Sequence, residues 1–164
     1  MTTYVRCEKL PIDCTPLVER LRGFTFCHFN NQSSELHDTS KVKVNPSIFQ
    51  GRLIETERIT AVAISLSDFL HIPSSIFTNF GDVANLKIMH SKVKEILSED
   101  FSTASHLRVL EVEYTKVGKI TSKAFELAEN LEEVKFENCV IEDFADDAFD
   151  GLKKLKEIRL SGNT

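Results

Sequence analysis

The sequence predicts an α/β repeat solenoid, with a curved parallel β-sheet on the concave side, an irregular or short helical convex side, and an amino-terminal β-hairpin cap. Three observations predict this fold class. One apolar pattern recurs every 24 residues from residue 59 onward. The chain holds 12 Phe and no Trp, which indicates that Phe fills one structural role repeatedly. Residues 1–58 lack the pattern and carry three of the four Cys.

The repeat divides residues 59–164 into four complete units and a partial fifth. Within each unit the first, fourth and sixth places are apolar. The alternation around the fourth and sixth places turns one face of a short strand inward and leaves the places between them outward. Neighbouring units are expected to stack their strands into a parallel sheet. The predicted units are 59–82, 83–106, 107–130, 131–154 and 155–164, with fourth and sixth places Val62 and Ile64, Leu86 and Ile88, Leu110 and Val112, Val134 and Phe136, and Ile158 and Leu160.

Two further places of the repeat carry structural predictions. The nineteenth place is Phe in every complete unit, and its ring is expected to enter one continuous core. The ninth place holds small side chains that are expected to hydrogen-bond the turn backbone of adjacent coils. Only one of them is Asn, which offers both donors and an acceptor, so this ladder is expected to be weaker than one built from Asn alone. The nineteenth-place residues are Phe77, Phe101, Phe125 and Phe149, and the ninth-place residues are Ser67, Ser91, Thr115, Cys139 and Asn163.

These residues resemble the leucine-rich repeat pattern LxxLxLxxN/CxL, in its 24-residue form with a late Phe. The resemblance covers residues 59–164, about two thirds of the chain, with five units in register and no gaps. It implies a solenoid whose extended concave sheet binds another protein.

Residues 1–58 are predicted to form an amino-terminal cap, because the first coil of a solenoid would otherwise expose its core and a strand edge. Alternating runs at 24–29 and 41–44 are predicted strands, and the polar tract 30–34 between them is a predicted loop.

The cap cysteines bear on localisation. Extracellular leucine-rich-repeat proteins commonly carry disulfide-bonded amino-terminal caps, so the resemblance implies a bond among Cys7, Cys14 and Cys27, either Cys14–Cys27 or Cys7–Cys27. Asn31 begins a glycosylation sequon on the predicted loop. We expect an extracellular, secreted protein whose leader has been removed, since the first residues lack an apolar stretch. The alternative is a cytosolic protein with four reduced thiols.

Composition and motifs argue against several function classes. The net charge of −5 and a pI of about 5.6 disfavour a nucleic-acid partner. No window approaches the ~20 apolar residues of a membrane span. No CxxC, HExxH, GxSxG or glycine-rich phosphate loop occurs, and the acidic run at 142–150 does not match a calcium loop. The sequence therefore predicts no catalytic residues, no cofactor and no metal site.

The outward places of the predicted strands form the candidate binding surface. Neighbouring strands lie about 4.8 Å apart, so Lys87, Glu111 and Lys135 are expected to form a ladder of alternating charge. One interpretation is a sheet that solvates itself through cross-strand ion pairs. The other is a partner-binding surface with apolar anchors inside a charged rim, in which Tyr114 is the strongest candidate because aromatic residues are enriched among hot spots. The candidate residues are Leu66, Lys87, Met89, His90, Val109, Glu111, Glu113, Tyr114, Lys135 and Glu137.

Within this class, the cap with scattered Cys and the varied ninth place are similar to secreted leucine-rich-repeat proteins of insects that act in innate immunity. Alternatives are the outer end of a Toll-like or Slit-like receptor ectodomain and an intracellular scaffold. The fifth unit stops after ten residues, which suggests an amino-terminal piece of a longer protein. The uncapped last strand suggests homodimerisation through that edge.

Overall fold

A computed structural model describes residues 60–164, apart from the side chain of Asn79, together with the backbone of six strands in the first 59 residues. These six strands are β1 (Thr3–Tyr4), β2 (Leu17–Val18), β3 (Arg20–Leu21), β4 (Phe24–Asn30), β5 (Ile48–Phe49) and β6 (Arg52–Leu53).

The concave side of the solenoid is one sheet that contains a strand from every predicted unit. Its seven strands lie in the order β15-β13-β11-β9-β7-β4-β3. Every pair from β7 to β15 is parallel and joins residues 24 apart, as in Val62↔Leu86 and Leu110↔Val134. The predicted register is confirmed. The strands of the repeats in this sheet are β7 (Ala61–Ser65), β9 (Asn85–Met89), β11 (Val109–Glu113), β13 (Glu133–Glu137) and β15 (Glu157–Arg159).

The returning side is more regular than expected, because its first residues form a second parallel sheet in the order β14-β12-β10-β8. Its pairing omits Lys94 and Gly118, while Val93 pairs with Val117 and Ile96 with Ile120. A Cβ on Gly118 would lie 2.5 Å from the Lys94 carbonyl oxygen. The two backbones approach so closely at this unpaired position that only glycine fits there. The strands are β8 (Asp68–Phe69), β10 (Lys92–Ile96), β12 (Lys116–Ile120) and β14 (Val140–Phe144).

The rest of each return is short helix and turn. The first return carries α1 (Ser75–Asn79) and the second a 3₁₀ helix, Ser98–Phe101. Among the described residues, no helix has the length and apolar character needed to cross a membrane.

The nineteenth-place Phe rings stack in the interior and form what we call the phenylalanine spine: Phe77, Phe101, Phe125 and Phe149. Ring centroids of successive members lie 6.2, 5.5 and 5.2 Å apart. Phe101 and Phe125 are fully buried, and Phe149 packs against the core while partly exposed. The predicted single interior column is confirmed, and it accounts for part of the Phe excess.

The concave sheet continues into the amino-terminal region. The predicted strand 24–29 is β4, which pairs in parallel with β7 and antiparallel with β3, so a hairpin joins the solenoid at this end. The predicted strand 41–44, Cys7, Cys14 and Asn31 lie outside the described residues. Cys27 lies in β4, but its side chain is also outside them. The disulfide, the glycosylation site and the boundary at residue 58 therefore stay predictions.

Candidate interaction surface

The outward side chains of the concave strands are joined by ion pairs into what we call the ion-pair ladder: Lys87, Glu111, Glu113, Glu133 and Lys135. Lys87 Nζ lies 2.7 Å from Glu113 Oε1 and 3.5 Å from Glu111 Oε2. Lys135 Nζ lies 2.9 Å from Glu111 Oε1 and 3.1 Å from Glu133 Oε2. Each lysine thus bridges two carboxylates, and Glu111 bridges the two lysines.

These contacts keep the ladder ionised. Burial opposes the charge of Lys87, but the hydrogen bond to Glu113 and the nearby Glu111 outweigh it and raise the pKa of Lys87. The hydrogen bond to Glu111 also raises the pKa of Lys135. Burial opposes ionisation of Glu111, but the two lysines outweigh it and lower the pKa of Glu111. The charges in the middle of the strand face therefore largely neutralise one another.

A second outward column follows the carboxyl ends of the same strands. It consists of the eighth-place residues Leu66, His90, Tyr114 and Asn138, which we call the edge column. All four have a positive φ, between 49° and 54°, and Gly162 takes the same place in the fifth coil with a φ of 68°. This left-handed conformation costs a residue other than Gly roughly 1 kcal/mol or more. Five coils therefore adopt one backbone turn at this place, whatever side chain it carries.

Hydrogen bonds between coils hold this turn. The backbone N–H of Leu66 donates to the carbonyl of Met89 at 3.2 Å, and the N–H of Tyr114 donates to the carbonyl of Glu137 at 3.0 Å. The N–H groups of His90 and Asn138 donate to the next coil in the same way. Because each bond joins the edge column to the next coil, the side chains project from a fixed backbone.

The side chains of the edge column are largely exposed. Leu66 and Tyr114 are each 55% exposed, and both are large apolar groups. The rings of His90 and Tyr114 stack nearly parallel, with centroids 5.0 Å apart and an angle of 8° between their planes. The column thus presents an aliphatic side chain and a stacked aromatic pair at the rim of the concave sheet.

Glu137 stands beside this column, and its charge interacts with that of Arg159 on the neighbouring strand β15. It is paired across the sheet with Glu113, which is itself neutralised by Lys87. Among the described residues, Glu137 has no ion-pair partner within 4.0 Å. Like charges directly opposite each other in a sheet are destabilising.

The remaining predicted anchors are less exposed than expected of binding residues. Met89 and Val109 lie on the strand face and are half-buried. Val109 lines a groove of about 420 Å³ at the amino ends of the strands, which the sequence analysis did not single out. Its other lining residues are Asp82, Ala84, Asn85, His106, Arg108 and Glu132. In the sequence, this groove could have been recognised from Arg108 and Glu132, which are charged residues at the second place of neighbouring units.

The ninth-place side chains form what we call the turn ladder: Ser67, Ser91, Thr115, Cys139 and Asn163. The N–H of Ser67 donates to Ser91 Oγ at 3.1 Å, and Ser91 Oγ donates to the Met89 carbonyl of its own strand. Asn163 bonds the preceding coil twice, accepting from the Cys139 N–H and donating to the Phe136 carbonyl, both at 2.9 Å. Cys139 is a free, buried thiol, and burial raises its pKa.

One buried carboxyl lies beside the phenylalanine spine. Asp100 Oδ2 accepts hydrogen bonds from the N–H groups of Leu97, at 3.0 Å, and Ile72, at 3.3 Å, so it links two coils. Burial raises the pKa of Asp100 to about 6, against the opposing effect of these bonds and of His71. No group of three or more His, Cys, Asp or Glu in the described part of the chain is arranged to hold a metal ion.

Comparison with known proteins places these features in a family. Residues 70–164, more than half of the chain, match the model of the BspA-type leucine-rich repeat region in six copies. No curated protein sequence matches the chain.

Several solved structures are similar to this chain. A chain of the mouse RP105/MD-1 complex is similar with a TM-score of 0.51 and 18% identity, over 65% of this chain and 22% of that one. The ectodomain of the receptor kinase SOBIR1 from Arabidopsis thaliana has a TM-score of 0.46 and 15% identity, over 96% of this chain and 82% of that one. An internalin C2 from Listeria monocytogenes has a TM-score of 0.44 and 14% identity, over 83% and 69%. The chain spans less than a quarter of the RP105-complex chain, and at 18% identity that likeness concerns the fold alone.

Proposed function

Because this chain belongs to the BspA-type leucine-rich-repeat family, we propose that it is a protein-binding module that contacts its partner with the concave face, and above all with the edge column. The observation that carries the proposal is that Leu66 and the His90–Tyr114 pair are exposed on a backbone fixed by bonds between coils. Preformed, exposed aromatic groups bind at a low cost in conformational entropy. The proposal includes no catalytic role, since the sequence carries no catalytic motif.

The two outward columns support this choice of surface. The charged groups of the ion-pair ladder are already paired with one another. A partner that covered them would gain little binding free energy, because the charges would first have to lose their water. The edge column offers apolar area without that cost. We therefore assign the ladder to the rim of the contact and the edge column to its centre.

A Tyr114→Ala variant tests the proposal. A random-peptide library displayed on phage is selected on the intact chain, and the affinities of the selected peptides are then measured by titration. We expect Tyr114→Ala to weaken most of them by at least about fivefold, or ~1 kcal/mol. Leu127→Ala, which removes another exposed apolar side chain (42% exposed), is the matched control and is expected to have no effect. Unchanged affinities in a folded Tyr114→Ala variant, or a library that yields no binder, would contradict the proposal.

The proposal places the module outside the cell, as part of a secreted protein. Supporting it are the three Cys and the sequon in residues 1–58. A role in insect innate immunity rests only on the similarity of the cap and repeat, and a receptor ectodomain or an intracellular scaffold is the alternative. Counting thiols in the native protein by mass spectrometry separates these settings, since one cap disulfide leaves two free thiols and a cytosolic protein has four.

A homodimer formed through β15 belongs to the same proposal. In the described structure β15 pairs with β13 and is the last strand of the concave sheet, and in this arrangement its outer edge would pair with that of a second copy. Light scattering of the purified chain over a range of concentrations tests this arrangement.

A further inference from the structure

We propose that the Asp100 carboxyl is a pH-sensitive latch, which holds the first return of the solenoid, residues 70–79, against the second coil and releases it when the carboxyl loses its proton. This device goes beyond the proposed protein-binding function and does not depend on it. Three observations carry it: a carboxyl at an otherwise apolar place, a bond between coils that this carboxyl replaces, and the weak attachment of the first return.

Asp100 occupies the eighteenth place of the repeat, which is buried in every complete unit. The other units have Ile76, Ala124 and Ala148 at this place, and Asp100 itself is only 5% exposed. A charge in such surroundings is unfavourable unless hydrogen bonds compensate for its lost water. The second coil thus carries, inside the core, a group whose charge depends on pH.

The Asp100 carboxyl takes the place of a backbone bond between coils. At the fifteenth place of the third unit, the Thr121 N–H donates to the Ile96 carbonyl of the preceding coil at 3.2 Å, and the equivalent bond recurs one coil later. At the same place of the second unit, the Leu97 N–H donates to Asp100 Oδ2, which also accepts the Ile72 N–H of the first coil. The first two coils are therefore joined here through a titratable side chain.

Ionisation weakens this junction. Burial raises the pKa of Asp100 to about 6, although the two N–H bonds and the charge of His71 oppose the rise, and Glu99 adds to it. When the first return opens, the carboxyl meets water and regains its ordinary pKa of 3.8. The latch therefore holds fully below about pH 4, and its contribution is lost as pH rises through 6.

The first return is also less firmly attached than the later ones. Strand β8 pairs with β10 only through its two residues, whereas β10 and β12 pair along their full length apart from one position. His71 Nδ1 and Ser75 Oγ, both in this return, are the only buried side-chain nitrogen or oxygen atoms of the described residues without a hydrogen-bond partner. Opening would give both atoms water as a partner, which offsets part of the cost of opening.

Hydrogen–deuterium exchange of the full chain, followed by NMR and corrected for the pH dependence of the intrinsic rate, tests the latch. We expect the protection of the Ile72 amide to fall roughly tenfold between pH 5 and pH 7. At pH 7 the amides within β11 should be better protected than Ile72. Their exchange should quicken in low urea while that of Ile72 changes little, because opening one return exposes little surface.

Three variants assign the effect to Asp100. Asp100→Asn keeps the shape and an acceptor oxygen but cannot ionise, so the tenfold fall should vanish. Glu99→Gln, which removes the neighbouring exposed carboxyl, is the matched control and should keep the fall. His71→Gln removes a charge that favours ionisation of Asp100, so it should move the midpoint of the fall to higher pH. A fall that persists in Asp100→Asn, or an Ile72 amide with the protection and urea dependence of β11, would overturn the latch and leave the test of Tyr114→Ala unaffected.

Discussion

The phenylalanine spine and the edge column come from the same 24-residue repeat and differ in what the repeat holds constant. At the nineteenth place every complete unit has Phe, because the ring must fill a closed interior between its neighbours. At the eighth place the side chain changes from Leu to His, Tyr, Asn and Gly, and the left-handed backbone is what recurs. In a solenoid, a constant side chain thus indicates packing, whereas a constant backbone with varied side chains provides a surface for recognition.

The largest expected effect lies in the spine. Phe125 is fully buried and its ring contacts those of Phe101, Phe136 and Phe149. We expect Phe125→Ala to lower the free energy of unfolding by roughly 3–5 kcal/mol, through lost burial and the cavity it leaves. Urea unfolding followed by circular dichroism measures this. Phe149→Ala, at a partly exposed position, should cost clearly less, and an equal cost for both would break the argument from burial.

The pH dependence of stability tests the environment of Asp100, the buried carboxyl beside the spine. Its pKa is raised from 3.8 to about 6, so ionisation is harder in the folded chain than in the unfolded one. The stability it contributes is complete below about pH 4 and is lost as pH rises through 6, an amount of roughly 2–3 kcal/mol. We measure the unfolding free energy at pH 4 and at pH 7 for both proteins. The change between the two pH values is expected to be smaller in Asp100→Asn than in the original chain by this amount. An unchanged difference in the variant would show that Asp100 does not titrate in this way.

The ion-pair ladder should give a smaller effect with the opposite dependence on pH. The lowered pKa of Glu111 means that its contribution is present above its unfolded pKa and is lost as pH falls through the folded value. Because Glu111 bridges Lys87 and Lys135, each of which keeps a second carboxylate, we expect Glu111→Gln to cost about 1 kcal/mol at pH 7. The cost should shrink in high salt. Denaturation at two salt concentrations measures it, and a cost independent of salt would count against a Coulombic origin.

The smallest effect is expected at the edge column. Leu66→Gly removes the strain of a left-handed leucine, which offsets the extra chain entropy that glycine loses on folding. We expect the unfolding free energy to change by less than about 0.5 kcal/mol. Leu110→Gly, on a buried strand position, is the contrasting variant and should be severely destabilised. A large loss in Leu66→Gly would mean that this side chain supports the fold and is not free to vary.

The sequence was enough to predict the features in which the side chain itself carries the information. The inward places of the four complete units, the spine and the register of the concave strands follow from apolar spacing, and the structure confirms them. Ile158 and Leu160 of the partial fifth unit, which were also expected to face inward, are exposed. The alternation of Lys87, Glu111 and Lys135 was also readable, because all three occupy one place in successive units.

The second sheet and the left-handed turns were not predictable in the same way. Val93 and Ile96 are both buried but lie three residues apart, a spacing that favours a helix over a strand. In the structure this spacing occurs within one strand whose pairing with the next strand omits Lys94. Leu and Tyr rarely adopt a positive φ, so only His90, Asn138 and Gly162 hinted at the turn. Which carboxylates each lysine pairs with depends on side-chain geometry, which the repeat pattern does not specify.

The turn ladder has a mechanical consequence. Ser91 and Thr115 each give one side-chain bond to the preceding coil, whereas Asn163 gives two. A load that pulls adjacent coils apart at their turns therefore meets less resistance among the serine and threonine coils than at the asparagine. We therefore expect the stiffness along the solenoid to vary with whether the ninth place carries a hydroxyl, a thiol, which in Cys139 donates to the Val112 carbonyl of the preceding coil, or an amide.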